Sequence, residues 1–139
     1  MTTRTGKEEA LRKAAFAALD NAYAPYSGFR VGAAISTREG QTIPGCNIEN
    51  SAYGQAICAE TLAIASAVSQ GLKHFDSLAI ATEADEPTPP CGACRQVLNE
   101  FAPDIHITSY TREGKSASWS LSELLPYAFL FDTHVEPGS

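Results

Sequence analysis

The sequence predicts an α/β fold, a three-layer α/β/α arrangement around a mixed five-stranded sheet, and three observations lead there. Its 139 residues, 44% of them apolar, match one domain with enough apolar surface for one core, so residues 1–139 are read as a single catalytic-size unit. Helical and strand-like patterns alternate, with no internal repeat, linker or low-complexity stretch between them. A strand, helix, strand succession in the second half implies parallel pairing, whereas short polar turns elsewhere imply antiparallel hairpins.

Lys7 to Tyr23 carries Leu11, Ala15, Ala18 and Leu19 on one face, with charges at Lys7, Glu8, Arg12 and Lys13, and reads as an amphipathic helix packed on the sheet. Ala24-Pro25-Tyr26-Ser27-Gly28 ends it. Phe29 to Thr37 is an apolar run suited to a buried strand, and Gly28 and Gly32 mark close approaches. The polar turn Arg38-Glu39-Gly40-Gln41 returns the chain antiparallel through Thr42 to Asn47, where Pro44 suits an edge strand. Asn47 to Ile57 lacks periodicity and reads as a loop. Cys58 to Gln70 is helical and apolar on much of its circumference, with Gly71 at its C-terminus. Leu78 to Thr82 is a strand, Ala84 to Pro90 a proline-rich connection, and Gly92 to Phe101 a helix stopped before Pro103. Ile105 to Tyr110 and Ser116 to Ser120 form a hairpin around Arg112-Glu113-Gly114-Lys115, and Leu121 to Leu125 is a last helical piece before Pro126.

Charge and cysteine usage narrow the function. A net charge of −6 without any basic run disfavours nucleic acid and points to a small substrate. The start, Met1 to Ala10, is polar, and no stretch is long and apolar enough to span a membrane, so the chain reads as cytoplasmic. In a reducing compartment four cysteines serve better as metal ligands or buried thiols than as disulfides.

Cys58-Ala59-Glu60 and Pro90-Cys91-Gly92-Ala93-Cys94 together offer three thiolates and a carboxylate to one zinc centre. Catalytic zinc takes three protein ligands and keeps its fourth position for water, so three cysteines beside a non-ligating acid suit hydrolysis. Residues two apart on a regular helix do not face each other, which places Cys58 at a helix cap with non-helical dihedrals. Cys46 is the spare cysteine, read as a small buried hydrophobe. Were it a fourth ligand, the site would be closed and structural, and Glu60 would have no role.

C-A-E followed by P-C-x-x-C-R-Q resembles the zinc-dependent cytidine deaminase family in its small, three-cysteine, homotetrameric form, and this signature belongs to zinc deaminases generally. The resemblance extends to Tyr26-Ser27-Gly28-Phe29, Val31-Gly32-Ala33-Ala34, Gly45-Cys46-Asn47-Ile48-Glu49-Asn50, and Leu124-Leu125-Pro126 with Phe129. It implies one Zn2+ per subunit, held by Cys58, Cys91 and Cys94, and makes Glu60 the catalytic proton shuttle between water, ring N3 and departing ammonia. It gives Asn47 and Glu49 the ribose hydroxyls, Phe29 a stacking contact with the base, and the Ala59 backbone a hydrogen bond to the pyrimidine. The same resemblance implies that Tyr53 and Phe129 reach the site from neighbouring subunits of a homotetramer with shared pockets. One position departs from the pattern: Thr61 stands where many relatives carry arginine, and its hydroxyl could hydrogen-bond a ligand sulfur.

Plainer roles compete for several of these residues. Asn47 and Glu49 could simply cap a loop, and Phe29 could be core. Arg95 either salt-bridges or orients the cysteine loop. Tyr53, Phe129 and Phe131 suit an oligomer interface, Trp119 strand packing, and His74, His106 and His134 stand alone. The reading that joins the motifs is hydrolytic deamination of cytidine and 2′-deoxycytidine in pyrimidine salvage. Its enzyme alternative is a related cytosine nucleoside such as blasticidin S, whose deaminase shares C-A-E without the arginine. A polynucleotide deaminase fits the acidic chain poorly, and a non-enzymatic zinc-stabilised binding protein is the alternative of another class.

Overall fold

In a computed structural model that describes residues 5–131, helix α1 (Gly6–Leu19) starts where the Thr5 hydroxyl accepts the Glu8 N–H at 3.1 Å. His134 lies outside these residues, as do the first four of the polar start. α1 ends four residues before the expected Tyr23. The Tyr23 backbone is instead bridged to the loop beyond the second strand, donating to Asn47 O at 3.0 Å and accepting from Glu49 N at 2.8 Å.

Strand β1 (Val31–Thr37) begins two residues later than the apolar run suggests. The cause is Asn47, whose side-chain amide accepts from Val31 N and donates to Phe29 O, each at 2.8 Å, so that these groups are bound outside the ladder. β1 pairs antiparallel with β2 (Thr42–Cys46) and with β3 (Phe75–Thr82). β3 runs parallel to β4 (His106–Thr111), which pairs antiparallel with β5 (Ser116–Ser120). The order β2-β1-β3-β4-β5 leaves β2 at an edge, where Pro44 costs no internal ladder bond. β3 starts three residues earlier than Leu78, because Phe75 and Ser77 already pair with β1 around a register shift.

Helix α2 (Ala59–Ser69) and helix α3 (Gly92–Phe101) cover one face of the sheet, and α1 covers the other. The main core joins Ile35, Ile43, Ile64, Leu78, Ile80, Leu98 and Ile107, with Trp119 packed against it. A smaller core joins Leu11, Leu19, Ala34 and Tyr110 under α1. α2 buries one side rather than its whole circumference: Ala63, Ile64 and Ala67 are buried, Leu62 and Val68 half-buried, and Ala65 exposed. Gly71 ends this helix region with φ +83°, the left-handed conformation expected of it. A four-residue helix, α4 (Leu121–Leu124), follows β5, started by a reciprocal pair of hydrogen bonds between Ser120 and Glu123.

Two glycines set the helices onto the sheet. A Cβ on Gly32 would meet Ala15 O of α1 at 2.0 Å, and one on Gly45 would meet Ala59 O of α2 at 2.4 Å. Only a residue without a side chain lets both helices approach this closely. The second contact fixes the first turn of α2 against β2.

Candidate active site

Cys58 and Cys91 are the N-cap residues of α2 and α3, with extended dihedrals of φ −76°, ψ 153° and φ −67°, ψ 166°. Cys94 stands in the first turn of α3, so the two helix starts converge and bring three sulfurs within 4.8 Å of one another. The extended conformation at Cys58 resolves the two-residue spacing to Glu60. As a cap, Cys58 is released from the helical spacing that would turn it away from Glu60, and Glu60 is buried at 5% exposure in the first helical turn.

The donor set fits zinc. Two thiolates each about 2.3 Å from a tetrahedral ion lie about 3.8 Å apart, and Cys58 Sγ and Cys91 Sγ are separated by 3.9 Å. Burial pushes the Cys58 and Cys94 thiols up, and the nearby Glu60 carboxylate raises both further. Cys91 is also desolvated, yet it is held below its ordinary value by the Cys94 N–H and by hydrogen bonds from the Cys94 and Cys58 side chains. Three clustered thiols cannot all ionise by themselves, so full ionisation calls for a divalent cation between them. Both helix N-termini face the cluster and favour the anionic form. Among the described residues, this is the one grouping of three or more such ligand side chains. Cys46 is half-buried on β2 and stands apart, as do His74 and His106, which removes the closed four-ligand alternative.

A cavity of ≈ 280 Å³ opens beside the sulfurs. Cys58, Ala59, Glu60 and Cys91 line it, together with Phe29, Asn47 and Glu49. Burial pushes the Glu60 carboxyl above the usual range. Phe29 is 42% exposed and stands outside β1, so it is a pocket wall rather than core. The Ala59 N–H opens α2 and has no intrahelical acceptor.

Asn47 and Glu49 do cap the local backbone, and they do so in the cavity wall. With its amide bound to Phe29 O and Val31 N, Asn47 keeps one N–H and one oxygen lone pair for a ligand. The Glu49 carboxylate accepts from Tyr26 N at 2.9 Å, Ser27 N at 3.1 Å and the Ser27 hydroxyl. The Ser27 hydroxyl above all, with these two N–H groups, holds its pKa below the ordinary carboxylate value. Ser27 lines the cavity with Ile80, Thr88 and Pro89, none of which the sequence singled out as a site residue. For Ser27 a signal existed in the serine before a turn glycine, whose φ is +72° at Gly28.

Arg95 orients the cysteine loop: its Nε donates to Pro90 O at 2.8 Å and a terminal nitrogen to Leu124 O at 2.9 Å. The adjacent Gln96 binds both backbone groups of Phe129, at 2.8 and 3.2 Å. Tyr53, in a single 3-10 turn (Tyr53–Gln55), and Phe129 are 84% and 70% exposed, and neither lines the cavity of its own chain.

Residues 5–109 match the family model for the cytidine and deoxycytidylate deaminase zinc-binding region. A cytidine deaminase from Halalkalibacterium halodurans is 43% identical over 120 residues, spanning 86% of this chain and 91% of that protein. The blasticidin-S deaminase of Bacillus cereus is 36% identical over 107 residues, spanning 71% of this chain and 76% of that one. A crystal structure of cytidine deaminase from Burkholderia pseudomallei superposes with a TM-score of 0.85 at 43% identity, covering 91% of this chain and all of that one.

Proposed function

The chain belongs to the cytidine deaminase family, and from that premise we propose that it converts cytidine and 2′-deoxycytidine to uridine and 2′-deoxyuridine by zinc-dependent hydrolysis. The observation that carries this reading is one cavity lined by two of the three clustered cysteines and a buried carboxyl together with an aromatic ring, an amide and a second carboxylate.

Cys58, Cys91 and Cys94 hold one zinc per chain. When bound, zinc supplies Lewis acidity that makes water a competent nucleophile near neutral pH. Glu60 takes the proton of the attacking water and delivers it to ring N3 as the C4–O bond forms. It then takes the remaining proton from the new C4 hydroxyl and passes it to the amino group, the C4–N bond breaks, and ammonia leaves a C4 carbonyl behind. Burial favours a carboxyl that exchanges protons in both directions. Phe29 stacks on the base, the Ala59 backbone hydrogen-bonds the pyrimidine, and Asn47 and Glu49 bind the sugar hydroxyls.

Residues 1–139 act as a single catalytic domain, and four copies form a homotetramer in which Tyr53 and Phe129 complete a neighbour's pocket. Their exposure in the protomer supports this. A charge of −6 disfavours nucleic acid as a partner, and among the described residues no helix is long and apolar enough to cross a membrane. The proposed setting is cytoplasmic pyrimidine salvage.

Loss of cytidine's ultraviolet absorbance is the test, run beside Glu60→Ala. Turnover should fall about a hundred- to ten-thousand-fold in the variant, with one zinc per chain retained. A variant as active as the native protein would remove Glu60 from the mechanism. The similarity to a blasticidin-S deaminase sustains a second reading, in which the folded, zinc-loaded protein leaves cytidine untouched and consumes blasticidin S. A protein that binds zinc and turns over neither is a binding protein.

A further inference from the structure

We propose that Thr61 is a positioning residue of the metal centre, its hydroxyl donating to the Cys94 sulfur and fixing that thiolate for ligation. Thr61 Oγ1 and Cys94 Sγ are 3.4 Å apart. A metal-bound thiolate carries no proton, so the hydroxyl must be the donor. The two residues occupy equivalent places: α2 has Cys58 at its cap and Thr61 three residues on, and α3 has Cys91 at its cap and Cys94 three residues on. The converging helix starts therefore present three sulfurs and one hydroxyl, and the hydroxyl crosses from one helix to the other.

Cys94 needs this donor more than its companions do. Cys58 and Cys91 are exposed and open to water, whereas Cys94 is 1% exposed. A buried anion without a hydrogen bond is costly. Arg95 follows Cys94 in the chain, but its guanidinium is engaged with the carbonyls of Pro90 and Leu124. Three thiolates around one divalent cation leave a net charge of −1, and a neutral donor lowers the electron density on sulfur without adding a cation. Outer partners of this kind set ligand orientation and metal retention.

The inference rests on the three-cysteine zinc site and not on the substrate, so its test uses no turnover. Thr61→Val keeps the side-chain shape and removes the hydroxyl, Thr61→Ala removes it without adding a methyl, and Thr61→Ser retains it. In the cobalt-exchanged proteins, the sulfur-to-cobalt charge-transfer band should move to lower energy in the Val and Ala variants and stay in place in Ser. In the zinc-loaded proteins, a chelator should strip Val and Ala at about 10- to 100-fold lower concentration than native or Ser. Native band position and native zinc retention in both hydroxyl-free variants would overturn the proposal. So would a Ser variant that behaves like Val, or a shift in Val absent from Ala. Absence of cytidine turnover would leave these outcomes unaffected and would count against the deaminase reading alone.

Discussion

Glu49 shows how a site residue is held by backbone before any ligand arrives. The Ser27 hydroxyl and the Tyr26 and Ser27 N–H groups keep its carboxylate ionised and aimed from the cavity wall. Because its folded pKa is lowered, the stabilisation from this clamp is fully present above the ordinary value of 4.5 and is lost as pH falls through the lower folded value. The KM for cytidine should therefore stay level down to about that ordinary value and climb only below it. Glu49→Gln should raise KM across the level region and flatten the acid limb, as initial-rate measurements between pH 4 and 7 would reveal. An acid limb unchanged in the variant would assign it to another group. At this scale the sequence displayed the ligands but not their supports. The spacing of Cys58, Glu60, Cys91 and Cys94 is a local pattern tied to one chemistry. The hold of Ser27 on Glu49 spans 22 residues, and that of Gln96 on Phe129 spans 33, and no local pattern carries such a contact.

Among the elements, the two glycine contacts separate stability from metal binding. Gly32→Ala pushes a methyl into Ala15 O of α1, and Gly45→Ala pushes one into Ala59 O and Ala63 N of α2, at 2.4 and 2.6 Å. Each should cost about 1–3 kcal/mol as overpacking, read as a lower thermal midpoint. Only the second displaces the helix start that carries Cys58 and Glu60, so zinc content should fall in Gly45→Ala and remain full in Gly32→Ala. Equal zinc loss in both variants would mean that general unfolding, rather than α2 placement, is responsible. The helix of Gly92–Phe101 was legible to its ends because Cys91 precedes it and Pro103 follows it closely. The ends of α1 and β1 were not, since each is set by the distant loop at 47–49: through its backbone at Tyr23, and through the Asn47 side chain at Phe29 and Val31. The alternation of helix and strand, the edge place of β2 and the parallel β3–β4 pair followed from periodicity and turn residues, and the mixed five-stranded sheet bears them out.

For the whole molecule, several large apolar side chains stand open to solvent: Tyr53, Tyr127, Phe129 and Phe131 are all more than two-thirds exposed, three of them within one short C-terminal stretch. Large apolar side chains gathered at the surface mark association sites. Specific activity should fall on dilution in step with dissociation seen by analytical ultracentrifugation. Gln96→Leu, which frees the backbone of Phe129, should move both transitions to higher protein concentration. Activity that persists in a dilute monomer would show that each chain holds a complete pocket. The sulfurs of Cys58 and Cys91, 3.9 Å apart, also give the molecule a redox liability. Zinc keeps the two thiols from each other, and once a chelator has removed it, dissolved oxygen has a close pair to oxidise. Metal-stripped protein held in air should lose two titratable thiols per chain and with them the ability to take zinc back, until a reductant returns both. Protein stripped and stored under argon should reload at once, so the ion would serve as the guard of its own binding site.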